Sequence, residues 1–233
     1  MKLEGLAMRN EGNTPDCPLH GLILAGGRSS RMGRDKALLH MDGQTLLERL
    51  VAGMLGLMDS VTIAAGTTER VQQYREALAG CRKELESGRV RFVLDAYPGD
   101  GPLAGLHAGL SVLPPGYVFV MACDMPEVSP SLLARMREAA RERDGEADVI
   151  HVSGQPFHAL YHTRAAAAVA ESLVQRDYRV MRLLDRLRTI RLAFTAESTG
   201  AVAESTADGG TLCNLNTPED YEQYLDRMRR DER

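Results

Sequence analysis

The chain has 233 residues, 44% of them apolar, with 22 glycines and 10 prolines; this excludes low-complexity and collagen-like classes and gives a core that needs no disulfide or metal staple. A net charge of −4 argues against a general nucleic-acid binder, though not against one anionic ligand held by a local basic cluster. The four cysteines, Cys17, Cys81, Cys123 and Cys213, are scattered without a CxxC pair, which disfavours zinc and disulfide frameworks and points to a reducing compartment.

Residues 1–18 read as a flexible tail, and 19–233 as one domain. Glu4, Arg9 and Glu11 interrupt any signal-peptide core. The longest apolar runs fall far short of the ~20 residues that span a bilayer, so a soluble cytoplasmic protein is expected. Residues 19–25 predict a buried strand, followed by a glycine-rich loop. Residues 45–58 predict a helix, because Leu46, Leu50 and Met54, and Leu47, Val51 and Leu55, recur at i+4. Strands at 61–65 and 90–94 flank a helix at 69–78. A helix at 103–113 precedes a strongly apolar strand at 117–122. Ser129 and Pro130 start the next helix, as N-cap and first helical residue. Residues 148–152 and 158–162 predict a strand pair, 164–175 and 180–187 helices, and 190–194 a last strand. Residues 195–213 are weakly patterned. Thr217-Pro218-Glu219-Asp220 opens a final helix. This alternation predicts an α/β fold: three layers, doubly wound, with a mostly parallel sheet.

In such sheets ligands sit beyond the carboxyl ends of the strands. Three segments fall there. The first runs from Leu24 through Ala25, Gly26 and Gly27 to Asp35 and Lys36. It gathers Arg28, Arg31, Arg34 and Lys36 within nine residues. Glycines let backbone N–H groups approach phosphate oxygens, and clustered cations suit a polyphosphate. The spacing is neither GxxxxGK[ST] nor GxGxxG, and a solvated basic turn is the plain alternative. Only three of the 28 basic residues are lysines, which makes Lys36 an unusual choice. The second segment places Asp124 just past the apolar strand. It could cap a turn, or hold Mg²⁺ against phosphates, since that ion takes one or two carboxylates plus substrate oxygens. Asp95 ends the third strand similarly. The third segment, Gly101-Pro102-Leu103-Ala104-Gly105, opens a helix.

Together these segments resemble molybdenum cofactor guanylyltransferases, within the Rossmann-like nucleotidyltransferase fold, over residues 20–228. The resemblance rests on Leu24-Ala25-Gly26-Gly27 with Arg31-Met32-Gly33 and Asp35-Lys36, on Gly101 to Gly105, on Cys123-Asp124-Met125-Pro126, and on Asn214-Leu215-Asn216-Thr217-Pro218-Glu219-Asp220. It implies that Lys36, Asp124 and Arg31 are catalytic. It implies that Leu24, Ala25, Gly26, Gly27, Asp95, Gly101 and Pro102 join Lys36 and Asp124 in binding the nucleotide. Asp124, Asn214 and Asn216 would hold Mg²⁺. The implied reaction transfers GMP from GTP to the terminal phosphate of molybdopterin and releases pyrophosphate. The implied partners are these two small-molecule substrates, with transient contact to molybdoenzymes or other cofactor-pathway proteins, and neither nucleic acid nor membrane. Cytidylyltransferases of the same pathway usually read Leu-Ala-Ala-Gly where this chain has Gly26, and Asp-x-Asp where it has Asn214-Leu215-Asn216. Both differences favour guanine. The family's asparagine at the end of the second strand is absent from Ile63-Ala64-Ala65-Gly66.

Three alternatives stand beside this reading: CTP as donor, a different phosphorylated acceptor, or a nucleotide-binding protein without turnover. His158 and His162 share one face of a strand; without a third ligand they read as packing residues. His158 and Arg179 are also spatial candidates for the acceptor side.

Overall fold

A computed structural model describes residues 18–26, 35–41, 43–97, 99–193, 215 and 217–231. Residues 1–17 of the expected tail, the segment 195–213, and Gly27, Arg31, Asn214 and Asn216 lie outside the described residues.

The chain runs β1 (His20–Leu24), β2 (His40–Met41), β3 (Gln44–Thr45), α1 (Leu46–Leu55), β4 (Ser60–Gly66), α2 (Thr68–Ala77), α3 (Arg82–Glu86), β5 (Val90–Leu94), α4 (Pro102–Val112), β6 (Tyr117–Ala122), α5 (Pro130–Glu142), β7 (Val149–Val152), β8 (Gln155–His162), α6 (Ala166–Val174), α7 (Val180–Arg186), β9 (Thr189–Leu192) and α8 (Pro218–Asp231). Strand order in the main sheet is β5-β4-β1-β6-β8-β7-β9. β4, β1 and β6 pair in parallel, as do β7 and β9, whereas β8 runs antiparallel to both its neighbours. The expected doubly wound sheet is therefore present, with one reversed strand. It is reversed because a two-residue turn joins β7 to β8, too short for a crossover helix.

Alternation along β1 sends Ile23 to one face and Leu22 and Leu24 to the other. The first face packs under Leu47, Leu50, Val51 and Met54 of α1, Tyr74 of α2 and Leu132 and Met136 of α5. The second lies under α4, α6 and α7. Burying each such side chain is worth roughly 1.5–3 kcal/mol. α4 lies unusually close to the sheet: a Cβ on Gly109 would fall 2.3 Å from Leu22, and one on Gly105 would fall 3.1 Å from the Ala64 methyl. Two of the expected helices are shorter than their patterns. α1 stops at Leu55, where Gly56 closes the last turn onto Ala52 and Met54. The segment expected to begin at 164 opens with a 3-10 turn, Thr163–Ala165. The sequence reading missed the β2–β3 hairpin, whose Met41, with Leu46, receives Leu215 and Tyr224 in a small separate core. α8 begins as expected: Thr217 Oγ1 accepts from the Asp220 N–H at 3.1 Å, and Asp220 Oδ2 accepts from the Thr217 N–H at 2.8 Å.

One ion cluster fastens β7 to its surroundings. Asp148 Oδ1 accepts from Arg164 Nε at 2.6 Å and Arg188 Nη2 at 2.9 Å. Its Oδ2 accepts from Arg188 Nε at 3.1 Å. Burial alone would raise the Asp148 pKa, but the Arg188 and Arg164 hydrogen bonds outweigh it and hold it at about 2. The folded value lies below the unfolded ~3.9. The cluster's stabilisation is thus present above that pH and is lost as pH falls through about 2. Asp148→Asn should cost roughly 1–2 kcal/mol at neutral pH, since Arg188 is largely solvated. Urea titrations at pH 7 and pH 3 check this: the gap between variant and wild type should shrink on acidification.

Among the described residues no helix is long and apolar enough to cross a membrane.

Candidate active site

The chain leaves β1 toward β4 and β5 and returns on its other side at β6, which opens a crevice beyond the carboxyl end of β1. Each sequence-selected segment within the described residues arrives there. Leu24 and Ala25 are 7% and 1% exposed, so they contribute backbone rather than side chain. Leu24 O accepts from Cys123 N at 3.2 Å, and Ala25 N donates to Ala64 O at 3.0 Å. These bonds lock the first segment to both neighbouring strands.

On the β6 side, Lys36 Nζ lies 3.4 Å from Asp124 Oδ2. The Lys36 side chain is only 14% exposed and that of Asp124 28%. The lysine is thus a held group with a covered stem, not part of a solvated basic turn. Asp35 shapes its approach: Asp35 Oδ1 accepts from Ala37 N at 3.1 Å and caps the 3-10 turn that carries Lys36. Asp124 has its own anchor, as its backbone oxygen accepts from Leu215 N at 2.7 Å. Leu215 is fully buried in the small core beneath α8. The segment between Asn214 and Asn216 is therefore tied to Asp124, although those asparagines lie outside the described residues. Cys123, beside Asp124, is inert: burial first, then the charges of Asp124 and Asp35, push its thiol up to about 12.

On the β4–β5 side stands Asp95, just beyond β5. A Cβ on Gly26 would lie 3.3 Å from the Gly66 backbone and 3.4 Å from Asp95 Oδ2. The absent family asparagine falls near this point, where Gly66 at φ +80° brings bare backbone against Gly26. Asp95 Oδ1 is buried without a hydrogen-bond partner among the described residues. Burial raises the Asp95 pKa, opposed by the charge of Arg70. Gly101, at φ +73°, leads into Pro102 at the start of α4. That helix's Gly105 lies close to Asp95 Oδ1, so the N-terminal dipole of an eleven-residue helix faces the same region.

The arrangement offers a glycine edge, a cation and two carboxylates around one crevice. Among the described residues no group of three or more His, Cys, Asp or Glu is placed to hold a metal. A single carboxylate such as Asp124 still fits Mg²⁺, whose remaining hard oxygen ligands would come from substrate phosphates and water. His158 does not join the site. It is fully buried in edge-to-face contact with Phe119, ring centroids 5.1 Å apart, and burial lowers its pKa to about 4. Arg179 is exposed and paired to Asp177 at 2.7 Å. Sequence reading overlooked Arg70 and Tyr74. The available signal was the i, i+3, i+7 spacing of Val71, Tyr74 and Leu78 on a charged helix, which sends the one aromatic inward.

Comparison with known proteins gives the family and the fold. The family model described as the MobA-like NTP transferase domain matches residues 21–190. A probable molybdenum cofactor guanylyltransferase of Methanothermobacter thermautotrophicus is 32% identical over 73% of this chain and 85% of its own length. One from Natronomonas pharaonis is 32% identical over 89% of this chain and 97% of its own. Among solved structures, molybdopterin-guanine dinucleotide biosynthesis protein A of Archaeoglobus fulgidus shares the fold with a TM-score of 0.67 at 22% identity, over 91% of this chain and 99% of that one.

Proposed function

Because the chain belongs to the MobA-like NTP transferase family, we propose that it is a molybdenum cofactor guanylyltransferase, transferring GMP from GTP to the terminal phosphate of molybdopterin. An oxygen of that phosphate bonds to the α-phosphorus of GTP, the bond to the bridging oxygen breaks, and pyrophosphate leaves. The acceptor brings its own nucleophile, so no activated thiol is needed, and Cys123 beside Asp124 is held protonated. The protein's work is then in-line positioning and neutralisation of phosphate charge. The observation that carries the reading is the held pair Lys36–Asp124 across the crevice from the glycine edge and Asp95. Lys36 meets the phosphates as a point charge, and Arg31 is assigned the same role. Asp124, with Asn214 and Asn216 beside the anchored Leu215, is the set that would hold Mg²⁺. When bound, that ion would neutralise charge on the phosphates.

Leu24, Ala25, Gly26 and Gly27 line the nucleoside, with Gly101 and Pro102 at the mouth of α4. Asp95 reads the base: its carboxylate, set beside Gly26 and Gly66, has two oxygens for the adjacent N–H donors of guanine, whereas cytosine presents an acceptor there. A buried acceptor left unpaired opposes the wrong base strongly. We place the enzyme in the cytoplasm, in keeping with four unpatterned cysteines. Transfer of the product to other pathway proteins belongs to the same reading.

Pyrophosphate release, measured across the four NTPs with and without molybdopterin, tests the assignment. Release should require GTP and molybdopterin together. Competition binding tests the base. Wild type should prefer GTP to CTP, and Asp95→Asn should lose most of that preference. Gly26→Ala should weaken GTP binding, because its methyl would press on the Gly66 backbone and crowd Asp95. Since burial raises the Asp95 pKa, GTP affinity should fall on acidification at a higher pH than for an ordinary aspartate. Equal wild-type affinity for the two nucleotides would favour a cytidylyltransferase instead.

A further inference from the structure

Four contacts that the reaction does not use directly converge from α2 on Ala25 and Gly26 and on Asp35. Arg70 Nη1 donates to Gly26 O at 2.5 Å, and its Nε lies 3.5 Å from Asp35 Oδ2. Tyr74 Oη lies 2.9 Å from Ala25 O and 2.8 Å from Asp35 Oδ2. Both side chains thus touch the strand exit and the aspartate that caps the Lys36 turn. Tyr74 is fully buried, and its one proton is shared between two acceptors.

We infer that Tyr74 and Arg70 are positioning residues for nucleotidyl transfer, holding Lys36 at a set distance from the glycine edge through Asp35, Ala25 and Gly26. The inference rests on the proposed role of Lys36 at the phosphates. Two physical effects combine. The Asp35 carboxylate is held on one oxygen by α2 while its other caps the turn, so the direction of Lys36 is inherited from α2. The Ala25 and Gly26 carbonyls are also drawn inward by Tyr74 and Arg70. Carbonyl oxygens released toward the crevice would repel phosphate, so the clamp keeps the edge fit for an anion.

Tyr74→Phe keeps the buried ring and deletes the clamp's hydroxyl. Lys36→Met keeps the covered stem and deletes the charge. The experiment measures kcat/KM for GTP in wild type, both single variants and the double variant, with melting curves for each. Tyr74→Phe should lose about 10–100-fold in the wild-type background, the range for a hydrogen bond to a charged group. In the Lys36→Met background it should lose clearly less, a few-fold at most, because the part of its effect that passes through the lysine is gone and only the release of the Ala25 carbonyl remains. Equal losses in both backgrounds, or no loss in wild type, overturn the inference and leave Tyr74 a packing residue. A fully active Lys36→Met overturns the phosphate role of Lys36 as well, which separates the two failures. If Tyr74→Phe does not fold, Arg70→Lys replaces it in the same cycle with the same expectation. It keeps the charge beside Asp35 but not the fork that also reaches Gly26.

Discussion

Asp124→Asn loses at least about 100-fold in kcat for pyrophosphate release while its melting temperature stays close to that of wild type. The amide keeps the shape of a side chain that is 28% exposed and leaves the backbone bond to Leu215 in place. The anchor of the α8 core therefore survives the change. What disappears is the negative charge that would hold Mg²⁺ and that faces Lys36. Activity should be partly regained at high Mg²⁺, because a weakened site is filled by mass action. Titrating Mg²⁺ against initial rate for both proteins checks this. Normal turnover of the variant at low Mg²⁺ would remove Asp124 from the metal assignment.

Lys36→Met should lose about 10²–10³ in kcat/KM for GTP, the effect of deleting one preorganised group opposite developing charge. Lys36→Ala should be as slow and also less stable. A lysine in a loop would lose little packing on truncation, but here the stem is covered, with the side chain only 14% exposed. The comparison of the two variants by steady-state kinetics and thermal melting separates charge from packing. An unchanged kcat/KM in Lys36→Met would return the residue to the status of an ordinary surface cation.

Much of this was open to reading from residues alone, because the signals are local. The i+4 apolar spacing marks the buried face of α1, and the short apolar run marks β1, since such residues must meet a core whatever its partners. Ser129 and Thr217 announce helix starts because a cap needs only its own next three residues. Asp95 and Asp124 are legible as candidates by their position just past apolar strands, and Lys36 by its rarity in an arginine-rich chain.

What the residues could not decide are relations between segments distant in sequence. No local pattern brings Lys36 to within 3.4 Å of Asp124, 88 positions away. None predicts that Leu215 would reach back to Asp124, or that Gly26 and Gly66 would meet backbone to backbone under Asp95. Lys36 illustrates the difference: it sits in a glycine-rich stretch yet is held and mostly covered. His158, read as a packing residue, does spend its ring on Phe119, but its sequence could not name that partner. Strand order made these outcomes: β1 lies between β4 and β6, so side chains from three separate crossovers meet over one strand end. Burial and charge pairing are properties of that meeting, and they exist only once the sheet has closed around it.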